Sequence, residues 1–202
     1  MKQLREKWRC DAKVIEKLVE DINKALDNNS YFSALSLALT LPDICGKAEY
    51  PNAKPSRRYI DWYNEYVGKY EKCPCEHCKT NPMPYLSGEV VYSLRNSFLH
   101  QGTPNINSNK INEPSNKIDD FILVIEKKND FDIHSDLACI STSYYNKECL
   151  CEKRTYHVNI RRLCLILTLC AKGYFKENRE KFDFLKFSIV DYDEETAKIP
   201  GF

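Results

Sequence analysis

Leu4, Trp8, Ala12, Ile15, Leu18, Ile22 and Ala25 follow one another at steps of three and four residues, which predicts one long amphipathic helix ending near "DNNS". Ser30 is placed to cap a second helix, "YFSALSLALTL". Its apolar residues point to nearly every side and predict a central, well-buried element, with Pro42 bending or restarting it. After the turn-rich "YPNAKPS", Ser56 is placed to cap "RRYIDWYNEYVGKYEK". There Ile60, Tyr63, Val67 and Tyr70 form a stripe that Tyr59, Trp62 and Tyr66 widen. "CPCEHCKTNPMP" reads as a loop because of its prolines, and "YLSGEVVYSLRNSFLHQ" as the fourth helix, capped by Ser87. Gly102 suits the left-handed residue that closes a helix and Pro104 cannot continue one, so His100 is expected in the final turn.

From Thr103 to Ile118 large apolar residues almost vanish, which predicts a mobile surface loop. The pattern then turns β. "FILVIEKKNDFDI" suggests a small hairpin around Asn129 and Asp130, with "ACISTSYY" and "TYHVNI" as further short strands. Asn159 is placed to cap a fifth helix, "IRRLCLILTLCAKGYFKENREKF", whose "LCLILTLC" portion looks buried on several faces. "FLKFSIVDYDEE" offers a last strand against the hairpin. The expectation is a mainly α chain with a small β-hairpin or sheet inserted before the last long helix. It forms one domain over residues 1–202, with a loop at 103–118 and the β insertion at about 119–158.

Composition is that of a soluble globular chain: 202 residues, 43% hydrophobic and 29% charged, with a formal net charge of +1. That charge gives no bulk basic field for non-specific nucleic-acid binding, so an anionic substrate must be held locally. The first residues are charged and the longest apolar run, "LCLILTLCA", is too short to span a bilayer, so no membrane association is expected. Ten cysteines without an export segment read as thiols or metal ligands in a reducing, cytoplasmic setting.

Candidate chemistry gathers on the fourth helix. Arg95 and His100 lie about 7.5 Å apart along the axis and about 140° around it, so one helix is not expected to set them face to face, although arginine can sweep over a turn. Asn96 lies four residues before His100 and is placed to orient its ring. A guanidinium suits two phosphate oxygens, and an imidazole takes or gives a proton near neutral pH. RNA supplies its own 2′-hydroxyl nucleophile, so base, acid and charge stabilisation suffice to cleave it without metal. Spacing alone equally fits a histidine whose cation offsets the helix dipole.

"LRNSFLHQG" resembles the Arg-polar-x3-His motif of the HEPN superfamily, with Asn96 at the favoured polar position. The order of long first helix, apolar second, aromatic third ("RYIDWYNEYV") and motif helix is similar to bacterial HEPN proteins over roughly residues 30–102, as is the "HVNIRRLCLILTLCAKGYF" helix. The resemblance implies an antiparallel helical bundle and a metal-independent endoribonuclease of toxin or phage-defence type. RNA would be cut by 2′-hydroxyl attack at a composite homodimer site, Arg95 of one subunit facing His100 of the other, with an antitoxin or regulatory protein as a further partner. Arg95, Asn96 and His100 take the catalytic roles by direct match. The alternative is an inactive HEPN module that binds RNA, nucleotide or a partner protein. One subgroup carries a modified tyrosine two positions after the histidine. Here that position is Gly102, so regulation by that route is not expected.

Cys73, Cys75, His77 and Cys78 lie close together, and the two-residue gap between Cys75 and Cys78 is that of a zinc knuckle, with Cys149 and Cys151 as the compact second pair. The choice stands between a structural zinc that staples a loop and free thiols; catalysis is expected to require no cofactor. His134 and His157 are read as structural. Arg57, Arg58, Arg161 and Arg162 are either solvated helix-start charges or the lining of an RNA path.

Overall fold

The computed structural model describes residues 14–72, 84–106, 108–125, 137–145 and 148–185. Over these the chain is mainly helical, with a small sheet ahead of the last long helix. The helices are α1 (Val14–Asp27), α2 (Tyr31–Ala38), α3 (Leu41–Glu49), α4 (Pro55–Tyr66), α5 (Gly88–Gln101) and α6 (Ile160–Glu177). The strands are β1 (Asp120–Val124), β2 (Leu137–Tyr145) and β3 (Glu148–Asn159). The N-terminal half of the long first helix, the "FLKFSIVDYDEE" strand and the turn at Asn129 and Asp130 lie outside the described residues.

Of the α1 stripe read from the sequence, Ile15 and Ile22 are buried and Leu18 and Ala25 partly buried, and the buried face also takes in Val19 and Leu26. The helix stops where Asn29 takes φ 56°, a left-handed value asparagine tolerates. Pro42 sits in the first turn of α3, where its missing N–H leaves no bond unmade, so it starts a new helix. Helix α4 begins two residues earlier than expected: Pro55, not a Ser56 cap, opens it after Lys54. Its buried face centres on Tyr59, Trp62 and Tyr63, all wholly buried, while Tyr70 at the far end of the expected stripe is 73% exposed. Neither α2 nor α6 is buried all round. Phe32 and Leu169 are 60% and 68% exposed, so each helix keeps one face open.

Helix α6 is the spine of the core, packing against α1, α2 and α3, while α4 lies between α3 and α5. Asn159 caps α6 as expected, its Oδ1 accepting from Arg162 N at 3.1 Å. Arg162 also forks onto Glu71, Nη2 reaching Oε1 at 2.9 Å, and so ties the start of α6 to the end of the α4 region. Both neighbours of α4 approach its backbone through a glycine. A Cβ on Gly46 of α3 would stand 2.5 Å from the Arg58 carbonyl oxygen, and one on Gly88 of α5 would stand 2.6 Å from that of Ile60.

Two expectations are corrected. The sheet order is β1-β3-β2. Strand β1 runs parallel to β3, Phe121 opposite Tyr156, a pairing that was not expected, while the second arm of the expected hairpin lies outside the described residues. The antiparallel pair is β2 with β3, from Leu137 opposite His157 to Tyr145 opposite Glu148, with a register shift at Ser143 and Tyr144. The segment 103–118 is also not a merely superficial loop. Ile111, Asn116 and Ile118 are buried to 2% exposure or less, so few apolar side chains suffice to seat it.

The two glycine contacts give a stability test. Gly46→Ala is expected to destabilise the protein by about 1–3 kcal/mol, because a backbone carbonyl cannot step aside as a side chain can. Gly173→Ala, a helix-interior position with open space around it, is expected to stabilise by about 0.5–1 kcal/mol. Denaturant midpoints of the two variants check the contrast.

Candidate functional site

Helix α5 is held at both ends. At its start Ser87 Oγ accepts from Val90 N at 3.4 Å, and Asn64 Oδ1 on α4 accepts from Gly88 N at 2.7 Å. The buried Asn116 adds two bonds, Nδ2 donating to Ser87 Oγ and Oδ1 accepting from Tyr85 N, each at 2.7 Å. At its end Gly102 takes φ 68°, and its N–H reaches the Phe98 carbonyl at 3.1 Å. His100 therefore lies in the last turn, as expected, and is exposed.

Arg95 and His100 meet within one chain. Arg95 Nη1 lies 3.1 Å from His100 Nε2 and donates to Asn96 Oδ1 at 3.0 Å. This corrects the expectation that one helix cannot set the pair face to face: the backbone positions do point apart, and the length of the arginine closes the gap. Asn96 holds the guanidinium, whereas the sequence suggested that it orients the ring.

The other edge of the guanidinium is taken by a residue the sequence reading did not select. Asp43 of α3 accepts through Oδ2 from Arg95 Nε at 3.0 Å and Nη2 at 2.9 Å, and both side chains are about one-fifth exposed. Burial pushes the Asp43 carboxyl above its usual range, outweighing the opposite pull of Arg95 and the smaller pull of Arg58. Arg58 thus places a second positive charge near the same carboxylate, and its Nε is buried with no hydrogen-bond partner among the described residues. Asp43 in "LPDIC" reads locally as an acid in the first turn of a helix, and nothing in the sequence ties it to an arginine 52 positions on.

The contact constrains the tautomer that can bond across it. A guanidinium has five N–H donors and no acceptor, so a hydrogen bond between Nη1 and His100 Nε2 requires the tautomer that carries the ring proton on Nδ1. The arrangement is a cation with an imidazole nitrogen against it, braced by a carboxylate from another helix. It is suited to seizing an anion and handing on a proton.

Of the four other arginines singled out in the sequence, three have structural partners. Arg57 donates to Asp61 at 2.6 Å, Arg161 to the Leu26 carbonyl at 3.2 Å while lying over the Tyr31 ring, and Arg162 to Glu71. His157 is half-buried in β3; His134 lies outside the described residues. So do Cys73, Cys75, His77 and Cys78, and with them the zinc expectation; Cys149 and Cys151 fall on β3. Among the described residues no group of three metal-ligating side chains occurs, and no helix is long and apolar enough to cross a membrane. Burial pushes the thiol of Cys45 far up and that of Cys164 up to about 12, with Arg161 pulling slightly against the latter, so neither offers a thiolate at neutral pH.

Comparison with known proteins finds no matching family model, no matching curated protein and no matching solved structure.

The raised Asp43 carboxyl has a signed consequence. Its contribution to stability is full below the unfolded aspartate range near pH 3.9 and is lost as pH rises through its higher folded value. Asp43→Asn removes that titration. The stability of the variant relative to the parent is therefore expected to improve from pH 3.5 to pH 7, read from urea midpoints at both. A relative stability that falls over this interval would mean that Arg95, not burial, dominates the carboxyl.

Proposed function

We propose that this chain is a metal-independent endoribonuclease of the HEPN type, with Arg95 holding the scissile phosphodiester and His100 moving the proton. The observation that carries this reading is the 3.1 Å contact between Arg95 Nη1 and the lone-pair nitrogen of His100, on a helix end that also carries the Arg-Asn-x3-His spacing. A phosphate taking Nη1 draws the guanidinium from the imidazole and frees Nε2. Nε2 then accepts the 2′-hydroxyl proton as the 2′-oxygen attacks phosphorus. The P–O5′ bond breaks and the imidazolium returns its proton to the 5′-oxygen, leaving a 2′,3′-cyclic phosphate. Arg95 offsets the charge that builds on the non-bridging oxygens, and Asp43 and Asn96 keep it aimed.

A homodimer belongs to the same proposal. Phe32, 60% exposed, sets its ring edge against Phe98 at 5.7 Å, an apolar patch beside the end of α5 where a second copy would bring a second Arg95 and His100. Within such a pair each chain keeps its own Arg95–His100 contact, and the cleft gains a further acid for the leaving oxygen. A toxin or defence setting, with an antitoxin or regulatory protein that restrains cutting, follows from the same likeness.

The second reading is an inactive module of the same kind. It draws on the commitment of Arg95, whose Nε, Nη1 and Nη2 are all already engaged by Asp43, Asn96 and His100. Incubation of the pure protein with RNA in the presence of chelator separates the two. The nuclease reading expects fragments ending in 2′,3′-cyclic phosphate, with Arg95→Ala and His100→Ala each slowing cleavage by about 100-fold or more. Cleavage at the parental rate in both variants overturns it, and RNA bound but uncut by the parent favours the binding module.

A further inference from the structure

Beside the Arg95–His100 contact lies a cleft of about 300 Å³ that the mechanism above does not use. Its volume is at the lower end of small-molecule pockets, room for about one nucleoside and far too little for a base-paired helix. His100 and Asn96 form part of its wall, and the same two side chains contact Arg95 Nη1. The guanidinium and the cleft therefore share a partition. Tyr92, Ile60 and Ile106 supply the apolar lining, and Tyr92 is itself backed by the buried Tyr59 ring at 5.1 Å. Ser97, Gln101 and Asn105 add hydroxyl and amide groups that both donate and accept, and Lys110 adds a cation. Glu89 closes the far wall, its carboxylate accepting from Asn112 N at 2.8 Å and from the Asn112 side chain, which fastens the 103–118 segment to α5.

We infer that this cleft is a base subsite. It takes one unpaired nucleobase of a single-stranded RNA, seated on Tyr92 and read along its edge by Asn96, Gln101 and Asn105, with Lys110 on the neighbouring phosphate. Single strands fit because an unstacked base offers both a face and a free edge, which a duplex hides. Its placement next to a scissile linkage rests on the nuclease reading; base binding itself is measured without any cutting.

The test uses the full chain and all-2′-deoxy hexamers of each base, which cannot be cleaved by 2′-hydroxyl attack, together with the four nucleoside 5′-monophosphates, followed by fluorescence anisotropy or its competition. The expected result is a preference of about tenfold or more for one base in hexamers, repeated in the weaker monophosphates. Gln101→Ala combined with Asn105→Ala, both at exposed positions, is expected to weaken hexamer binding about tenfold and level the preference. Gln101→Trp is expected to block it by filling the cleft. Equal binding of all bases, unchanged in both variants, would overturn the subsite and leave a surface that holds phosphate alone. If RNA is cut with that same indifference, the subsite fails and the nuclease reading stands. If a base preference is lost in the variants while RNA is never cut, the subsite stands and the nuclease reading fails.

Discussion

A backbone carbonyl on either side of α4 sets how near its neighbours come. The Arg58 carbonyl meets Gly46 and the Ile60 carbonyl meets Gly88, at separations that would leave no room for a Cβ. Because α3 and α5 both lie against the same helix backbone, Asp43, three residues before Gly46, comes within hydrogen-bond reach of Arg95, seven residues after Gly88. Wider spacing would leave the carboxylate short of the guanidinium. The wholly buried Tyr59, Trp62 and Tyr63 hold α4 against the core from its other faces, so the strut that both glycines touch cannot move aside.

Function follows from what such bracing does to an arginine. An unbraced side chain of this length samples many rotamers and points mostly to water. Here one edge is taken by Asp43, and the remaining Nη1 group is shared between Asn96 and the imidazole. The cation keeps its charge under all conditions and can only donate toward the imidazole, while Asp43 sits where burial resists its ionisation. In this arrangement every nitrogen of the Arg95 guanidinium has a partner within the chain, and under the proposed reading a phosphate would have to compete with Asn96 and His100 for Nη1.

The helices and the site spacing were legible because they depend on local rules. Ser87 before α5, Gly102 after it and Asn159 before α6 are short-range signals that appear in the fold where they were expected, and on α1 the apolar period gives the helix while its buried face is shifted toward Val19 and Leu26. What escaped was long-range. Asp43 looked like an ordinary acid at a helix start, and its partner lies 52 positions away. The parallel pairing of β1 with β3 likewise joins residues 35 apart, Phe121 with Tyr156, with no turn signal between neighbours to announce it. The seating of the 103–118 segment went unread because Ile111, Asn116 and Ile118 are too sparse to make a pattern, although each is buried. The Arg95–His100 contact was half legible: backbone angles set the two apart, and the reach of arginine over a turn, which the sequence reading allowed, brings them together.

The most direct measurement is ¹⁵N NMR of the His100 ring at pH 8.5, in the parent and in Asp43→Asn, with and without a 2′-deoxy dinucleotide. Free neutral imidazole favours a proton on Nε2, and which nitrogen carries it in a protein is set by the bond the other makes. The account predicts the opposite tautomer in the parent, Nε2 bare and Nδ1 protonated, a reversal lost when Asp43 no longer braces Arg95 and perturbed when the phosphodiester binds. A ring that carries its proton on Nε2 in the parent, and does not respond to either change, would contradict it.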